Sequence, residues 1–207
     1  MVSDASEWVP DSRDLGDLES AAHACRGCEL WEPATQVVFS SGERSARLVL
    51  VGEQPGDQED RSGEPFVGPA GRLLDEALVA AGIDRAAAYL TNAVKHFRFE
   101  RRGSRRIHKT PGVGHVTACR PWLGAELEAV SPAAVVALGA TAARSVLGRP
   151  VKIGEVRGRV LDEAAVPVLV TAHPSAVLRL RGDAGYDEAF GALVSDLRLA
   201  APFGRRG

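Results

Sequence analysis

Four short aliphatic runs, at residues 48–51, 88–94, 134–138 and 168–172, constrain this chain more than any other feature. Each is too short for a typical helix and largely apolar along its length, which is how a strand buried on both faces reads. Helical spacing fills the gaps between them. Leu73, Leu74, Ala77, Leu78 and Ala81 recur every three or four residues, as do Trp122, Leu123, Glu126, Leu127 and Val130 less cleanly. Val146 and Leu147 mark a short helix ending near Gly148, and Phe190, Leu193, Val194 and Leu197 mark an amphipathic helix over 187–200. This alternation predicts an α/β fold, a three-layer α/β/α sandwich with a mainly parallel central sheet. Residues 156–161 read as a short edge strand. The 207 residues are expected to form one domain, with ends fraying over about 1–15 and 201–207.

In an open α/β sheet, ligands collect beyond the carboxyl ends of the strands. Those ends carry Glu53, Asn92, Gly139 and His173, so an acid, an amide and an imidazole from distant parts of the chain should face one crevice. The loop Gly52-Glu53-Gln54-Pro55-Gly56 turns tightly but lacks the lysine and the further glycines of a phosphate cradle. Phe66, framed by Gly63 and Gly71, reads equally as a core plug or as a ring at the crevice. His173-Pro174-Ser175 follows the last strand, with the proline fixing the backbone behind the imidazole.

A net charge of -2 argues against a polyanion partner until its distribution is considered. Between Lys95 and Lys109 seven basic residues stand against Glu100, a local +6, whereas the rest of the chain has 18 basic and 26 acidic residues. With Gly103 and Ser104 inside it, the segment reads as a basic loop on an acidic body, suited to a polyanion bound at one place. Three cysteines are too few for a disulfide framework. Cys25 and Cys28 form a CxxC pair, Cys119 is the third thiol, and His96 is the candidate fourth ligand, a set that fits zinc or a [4Fe–4S] cluster. No apolar run approaches the roughly 20 residues of a membrane span, and the acidic N-terminus is not of signal-peptide type. A cytoplasmic monomer is expected.

These motifs in this order resemble the uracil-DNA glycosylase superfamily, in particular its iron–sulfur branch, from Cys25 to about Leu199. The features that carry the resemblance are the CxxC pair, the GEQPG loop, Thr91-Asn92-Ala93-Val94-Lys95, Cys119-Arg120-Pro121, and HPS running on to Leu178-Arg179. Within that branch the chain is similar to the UdgX type, which becomes covalently attached to uracil-containing DNA. Gln54, His96 and the Arg-rich segment ending Arg105-Arg106-Ile107-His108 carry that likeness, with Ser104 where such segments usually have lysine.

The resemblance implies a [4Fe–4S] cluster on Cys25, Cys28, His96 and Cys119, and uracil excision, preferably from single-stranded DNA. It implies that Phe66 stacks on the extruded base, that Asn92 reads its edge with Gly52 and Asp57 completing the pocket, and that His173 supports the departing anion. Glu53 would stabilise the sugar cation, His108 would capture it covalently, and Gln54 and Arg106 would order the loop or the abasic sugar. Arg105, Arg106, Lys109, Ser175 and Arg179 would hold DNA. A conventional multiple-turnover glycosylase and a noncatalytic cluster protein that binds single strands are the alternatives.

Overall fold

The computed structural model describes residues 4–204. Its centre is a six-stranded sheet of β1 (Ser40–Ser41), β2 (Leu48–Gly52), β3 (Ala88–Asn92), β6 (Ala134–Leu138), β7 (Val160–Leu161) and β8 (Val168–Thr171), in the order β1-β3-β2-β6-β8-β7. The inner four strands are parallel and the two edge strands antiparallel. β4 (Phe99–Arg102) and β5 (Arg105–His108) form a separate antiparallel hairpin. The α/β sandwich expected from the sequence is borne out.

Alternate residues of each inner strand feed opposite layers. Leu48, Leu50, Ala134, Val136 and Leu138 pack under α3 (Pro69–Ala81), α7 (Pro174–Leu178) and α8 (Tyr186–Gly204). Val49, Val51, Val135 and Ala137 pack against α4 (Val113–Val130), α5 (Ala140–Leu147) and α6 (Ile153–Val156). Both faces are therefore apolar, as a doubly covered parallel sheet requires. The chain leaves β2 toward β3 on one side, while β6 lies on the other. The switch point where ligands bind in such sheets thus falls beyond Gly52. Among the described residues no helix is long and apolar enough to cross a membrane.

Several local expectations are corrected. Past Gly56 the chain forms a helix that the strand-and-helix reading above does not include, α2 (Asp57–Ser62), whose start Glu59 caps by accepting from the Gly56 N–H. Residues 156–161 divide into the end of α6 and the two-residue strand β7. Residues 4–15 are ordered rather than frayed: Asp4 caps a 3-10 turn at Ala5–Glu7, and Ala5 is buried. α1 (Leu15–Ala22) follows, capped by Asp14. At the other end α8 continues to Gly204, with Phe203 packed on the core, and only 205–207 lie outside the described residues.

The largest correction concerns charge. The basic segment is a hairpin whose arms are joined by Gly103 and Ser104, with Gly103 at φ +59°. Lys95 does not belong to its surface. Its Nζ is buried and lies 2.5 Å from Glu126 Oε2 and from Thr91 Oγ1, while Glu126 Oε1 accepts from Tyr89 and Thr91 hydroxyls. An ion pair at 1% and 0% exposure is tolerable only because both partners are satisfied. Glu126→Leu should therefore cost about 3–5 kcal/mol, and adding Lys95→Met should recover most of it. Urea unfolding of the two variants checks this, and a double variant as unstable as the single would contradict it.

Candidate active site

The cleft beyond the strand tips has a volume of ≈ 510 Å³, and its walls include Gln54, Asp57, Phe66, Asn92, His108, His173 and Arg179. Parallel register makes it possible: Gly52 pairs with Asn92 across β2 and β3, so the two strands end level. Gly52 is the point of closest approach. A Cβ there would meet Phe66 Cζ at 2.7 Å, so only glycine lets ring and amide converge.

Phe66 adopts φ +59°, which is unfavourable for an aromatic residue. Glu59 provides part of the restraint. Buried, it accepts from Gly56 N–H at 3.1 Å with one oxygen and from Gly68 N–H at 2.7 Å with the other, stitching the first loop to the Phe66 loop. Phe66 is both core residue and cleft wall, so the two readings of it were not exclusive. Glu59 is a further site residue, signalled in the sequence only by a carboxylate three residues after Gly56, where it can accept from the N-cap N–H.

Asn92 is 2% exposed, and no hydrogen bond within the described residues engages its side chain. A buried amide left open toward a cleft keeps its donor and its acceptor for a ligand.

His173 is set in one protonation state by its own helix. As N-cap of α7, its Nδ1 accepts from the Ser175 N–H at 3.1 Å and lies 2.9 Å from Ser175 Oγ. Desolvation, then His108 and Arg179 nearby, push its pKa down to about 4. The neutral ring must then carry its proton on Nε2. Ser175, expected at DNA, is first of all the residue that fixes this tautomer.

His108 ends β5, half-exposed, with its pKa lowered by partial burial against the opposing pull of Glu53. Its Nε2 is 3.7 Å from Glu53 Oε1 and 2.9 Å from Gln54 Nε2. Gln54 cannot flip, because its Oε1 accepts from the Arg98 N–H at 3.0 Å. Its NH2 also reaches the carbonyls of Arg98 and Lys109, both at 3.2 Å. Two hydrogens serve three acceptors, so the imidazole lone pair is oriented but only weakly occupied.

The basic residues divide by role. Arg106, expected both to order the loop and to hold DNA, is buried against Asp57 and Asp60, with Nη1 2.5 Å from Asp60 and 3.0 Å from the Thr35 hydroxyl, so it ties down the hairpin rather than offering a free phosphate contact. Asp57, expected at the base, lines the cleft while also pairing with Arg106 and Arg61. Arg105 and Arg179 are exposed at the hairpin and the cleft rim, and Lys109 pairs with Glu100 at 2.7 Å across the hairpin.

Cys25, Cys28, His96 and Cys119 line one small, nearly filled cavity of ≈ 10 Å³ beside the residues that follow β3. Backbone N–H groups of Gly27 and Lys95 point at Cys25 and Cys119 sulfurs at 3.5 and 3.3 Å, and Trp122 Nε1–H points at Cys25 at 3.3 Å. Donors aimed at sulfur suit thiolates. Burial pushes the Cys28 thiol up and that of Cys119 to about 12. The donor set fits a cationic centre, although no group of three or more His, Cys, Asp or Glu among the described residues is arranged to hold a single metal ion.

Residues 39–198 match the family model described as "Uracil DNA glycosylase superfamily". The chain belongs to the uracil-DNA glycosylase superfamily. A type-4 uracil-DNA glycosylase of Thermotoga maritima is 41% identical over 161 residues, 77% of this chain and 80% of its own length. Another from Pyrobaculum aerophilum is 35% identical over 181 residues, covering 82% and 89%. A type-5 uracil-DNA glycosylase of the latter organism is 32% identical over 178 residues, covering 78% and 75%.

The tautomer of His173 is testable. Its depressed pKa means that the unfolded chain binds the extra proton below the ordinary histidine value of 6.5, so its contribution to stability is complete above pH 6.5 and lost as pH falls toward 4. Nitrogen-15 NMR should show a neutral Nε2–H ring from pH 5.5 to 8. A titration near 6.5, or an Nδ1–H ring, would contradict the geometry.

Proposed function

We propose that this chain is a uracil-DNA glycosylase that excises uracil, preferentially from single-stranded DNA, and is then captured on the abasic sugar through His108. The observation that carries the reading is the unpartnered amide of buried Asn92, in one cleft with the His173 donor and the His108 imidazole. The relatives' names support excision of uracil. Capture is supported by the resemblance of the hairpin and by the lone pair that Gln54 orients. A single copy of the chain carries every group the reaction uses, which supports a monomer.

A base must leave the stack to be reached, at a cost of a few kcal/mol that is smallest in a single strand. Phe66 offers the extruded ring a stacking face. Asn92 gives a carbonyl its N–H and takes an N–H with its oxygen, a match to uracil that cytosine fails by presenting an amine and a bare nitrogen. The C1′–N1 bond then breaks with its electron pair passing to the base, where charge gathers at O2 beside the neutral His173 Nε2–H. The Glu53 carboxylate faces the sugar cation that remains. The His108 Nε2 lone pair forms a bond to C1′, the Nδ1 proton passes to solvent, and the uracil anion takes a proton from water. The product is a neutral N-alkylimidazole with no ready leaving path.

Cys25, Cys28, His96 and Cys119 would hold a [4Fe–4S] cluster. Bound there, it would supply a rigid tie between the N-terminal segment, β3 and α4 rather than any redox step, since glycosidic cleavage exchanges no electrons. Zinc is the other group that this set of thiolate and imidazole ligands could hold. The absorption spectrum of anaerobically purified protein separates them.

A denaturing gel tests the capture. Wild type mixed with uracil-containing single strand should give a shifted band that survives heat and detergent, formed once per protein molecule. His108→Ser should release uracil in excess of protein without the band. Wild-type turnover without a band would leave an ordinary glycosylase, and no uracil release from either would remove the enzymatic reading.

A further inference from the structure

Glu53 is held from a side of the cleft that neither the sequence motifs nor the hairpin accounts for. β6 ends at Leu138, and Gly139 turns the chain at φ +92°, where a Cβ would press on His173 Cβ at 3.1 Å. This close turn launches α5 directly beside the first loop. Thr141, its second residue, points its hydroxyl at Glu53 and donates to Oε2 at 2.5 Å. Thr141 also lines a separate hollow of ≈ 170 Å³ with Pro111, Val113 and Arg144. The bond thus turns one carboxylate oxygen away from the reaction, while the other, Oε1, faces His108 at 3.7 Å.

The partners of Glu53 make this bond consequential. Its backbone carbonyl accepts from Val94 N–H at 3.1 Å, which fixes the start of the side chain but not its three torsions. Its side chain is 22% exposed, and among the described residues no lysine or arginine forms an ion pair with it. A carboxylate so placed has water on one side and a neutral imidazole on the other. A single hydroxyl donor is what prevents it from swinging out to solvent, where it would be better hydrated and would no longer face the sugar.

We propose that Thr141 is a positioning residue, whose hydroxyl keeps Glu53 turned toward the anomeric centre. The inference rests on the reading of Glu53 as the group that faces the sugar cation, but not on capture by His108, because release of the base precedes either fate of the sugar. Threonine can serve because its hydroxyl donates to the carboxylate. Serine preserves the donor, and valine preserves the shape without it.

Single-turnover uracil release should be measured for wild type, Thr141→Val, Thr141→Ser, Glu53→Gln and the Thr141→Val/Glu53→Gln double variant, with DNA affinity measured by anisotropy. Thr141→Val should slow release about tenfold at unchanged affinity, the scale on which a small misplacement of a reacting group is felt. Thr141→Ser should release at close to the wild-type rate. In the Glu53→Gln background the valine should add little, since the hydroxyl acts through that carboxylate. Release by Thr141→Val at the wild-type rate while Glu53→Gln is slow would overturn the inference. So would an equal loss with serine, or an undiminished loss in the Glu53→Gln background, either of which makes the effect one of packing. Should Glu53→Gln itself release uracil at the wild-type rate, the role given to Glu53 fails, and that of Thr141 falls with it.

Discussion

The hairpin reaches the cleft because Arg106 is clamped between two carboxylates. An exposed two-stranded hairpin is marginal by itself. Here the guanidinium in its second arm is buried against Asp57 and Asp60 of α2 and lies over the rings of Phe97 and Phe99. Asp60 is fully buried and also accepts from the Thr35 N–H at 3.0 Å, so its charge has several partners rather than one. Burying the Arg106 and Asp60 charges is unfavourable unless both are satisfied, and the more exposed Asp57 completes the set. Once they are, the register of β5 is fixed, and His108, two residues further on, can occupy only one place.

Around this anchor, the imidazoles are kept neutral by different means. The Nδ1 of His173 is consumed by its own helix turn, leaving a donor toward the cleft. His108 has the Gln54 amide against Nε2, leaving a lone pair there. One ring can therefore serve a developing anion and the other a developing cation, with no proton moved beforehand. Both pKa values are lowered by desolvation, so burial itself selects these forms at neutral pH.

The strand tips were legible in the sequence because each ends a run of consecutive apolar residues, and parallel strands must present such ends together. Glu53, Asn92 and His173 follow from that alone. The hairpin was not legible. Its arms carry charge at nearly every position, so no period of two marks them, and only the Gly103-Ser104 turn hinted at pairing. Charge was also misread where its sign was right. Lys95 and Arg106 look like surface cations in sequence, yet their partners, Glu126 and Asp60, lie 31 and 46 residues away. Thr141 carries no sequence signal at all. Its role comes from β6 lying next to β2, a neighbour relation that topology sets and composition does not.

The account depends on a ring nitrogen reaching an electron-poor carbon before solvent does. Peptide mass spectrometry after mixing the protein with deoxyuridine-bearing single strand reads that event directly. The peptide containing His108 should carry the mass of the abasic sugar and its attached nucleotides, with fragmentation placing the addition on the imidazole. An unmodified His108 peptide, recovered from a sample in which free uracil has accumulated, would contradict it.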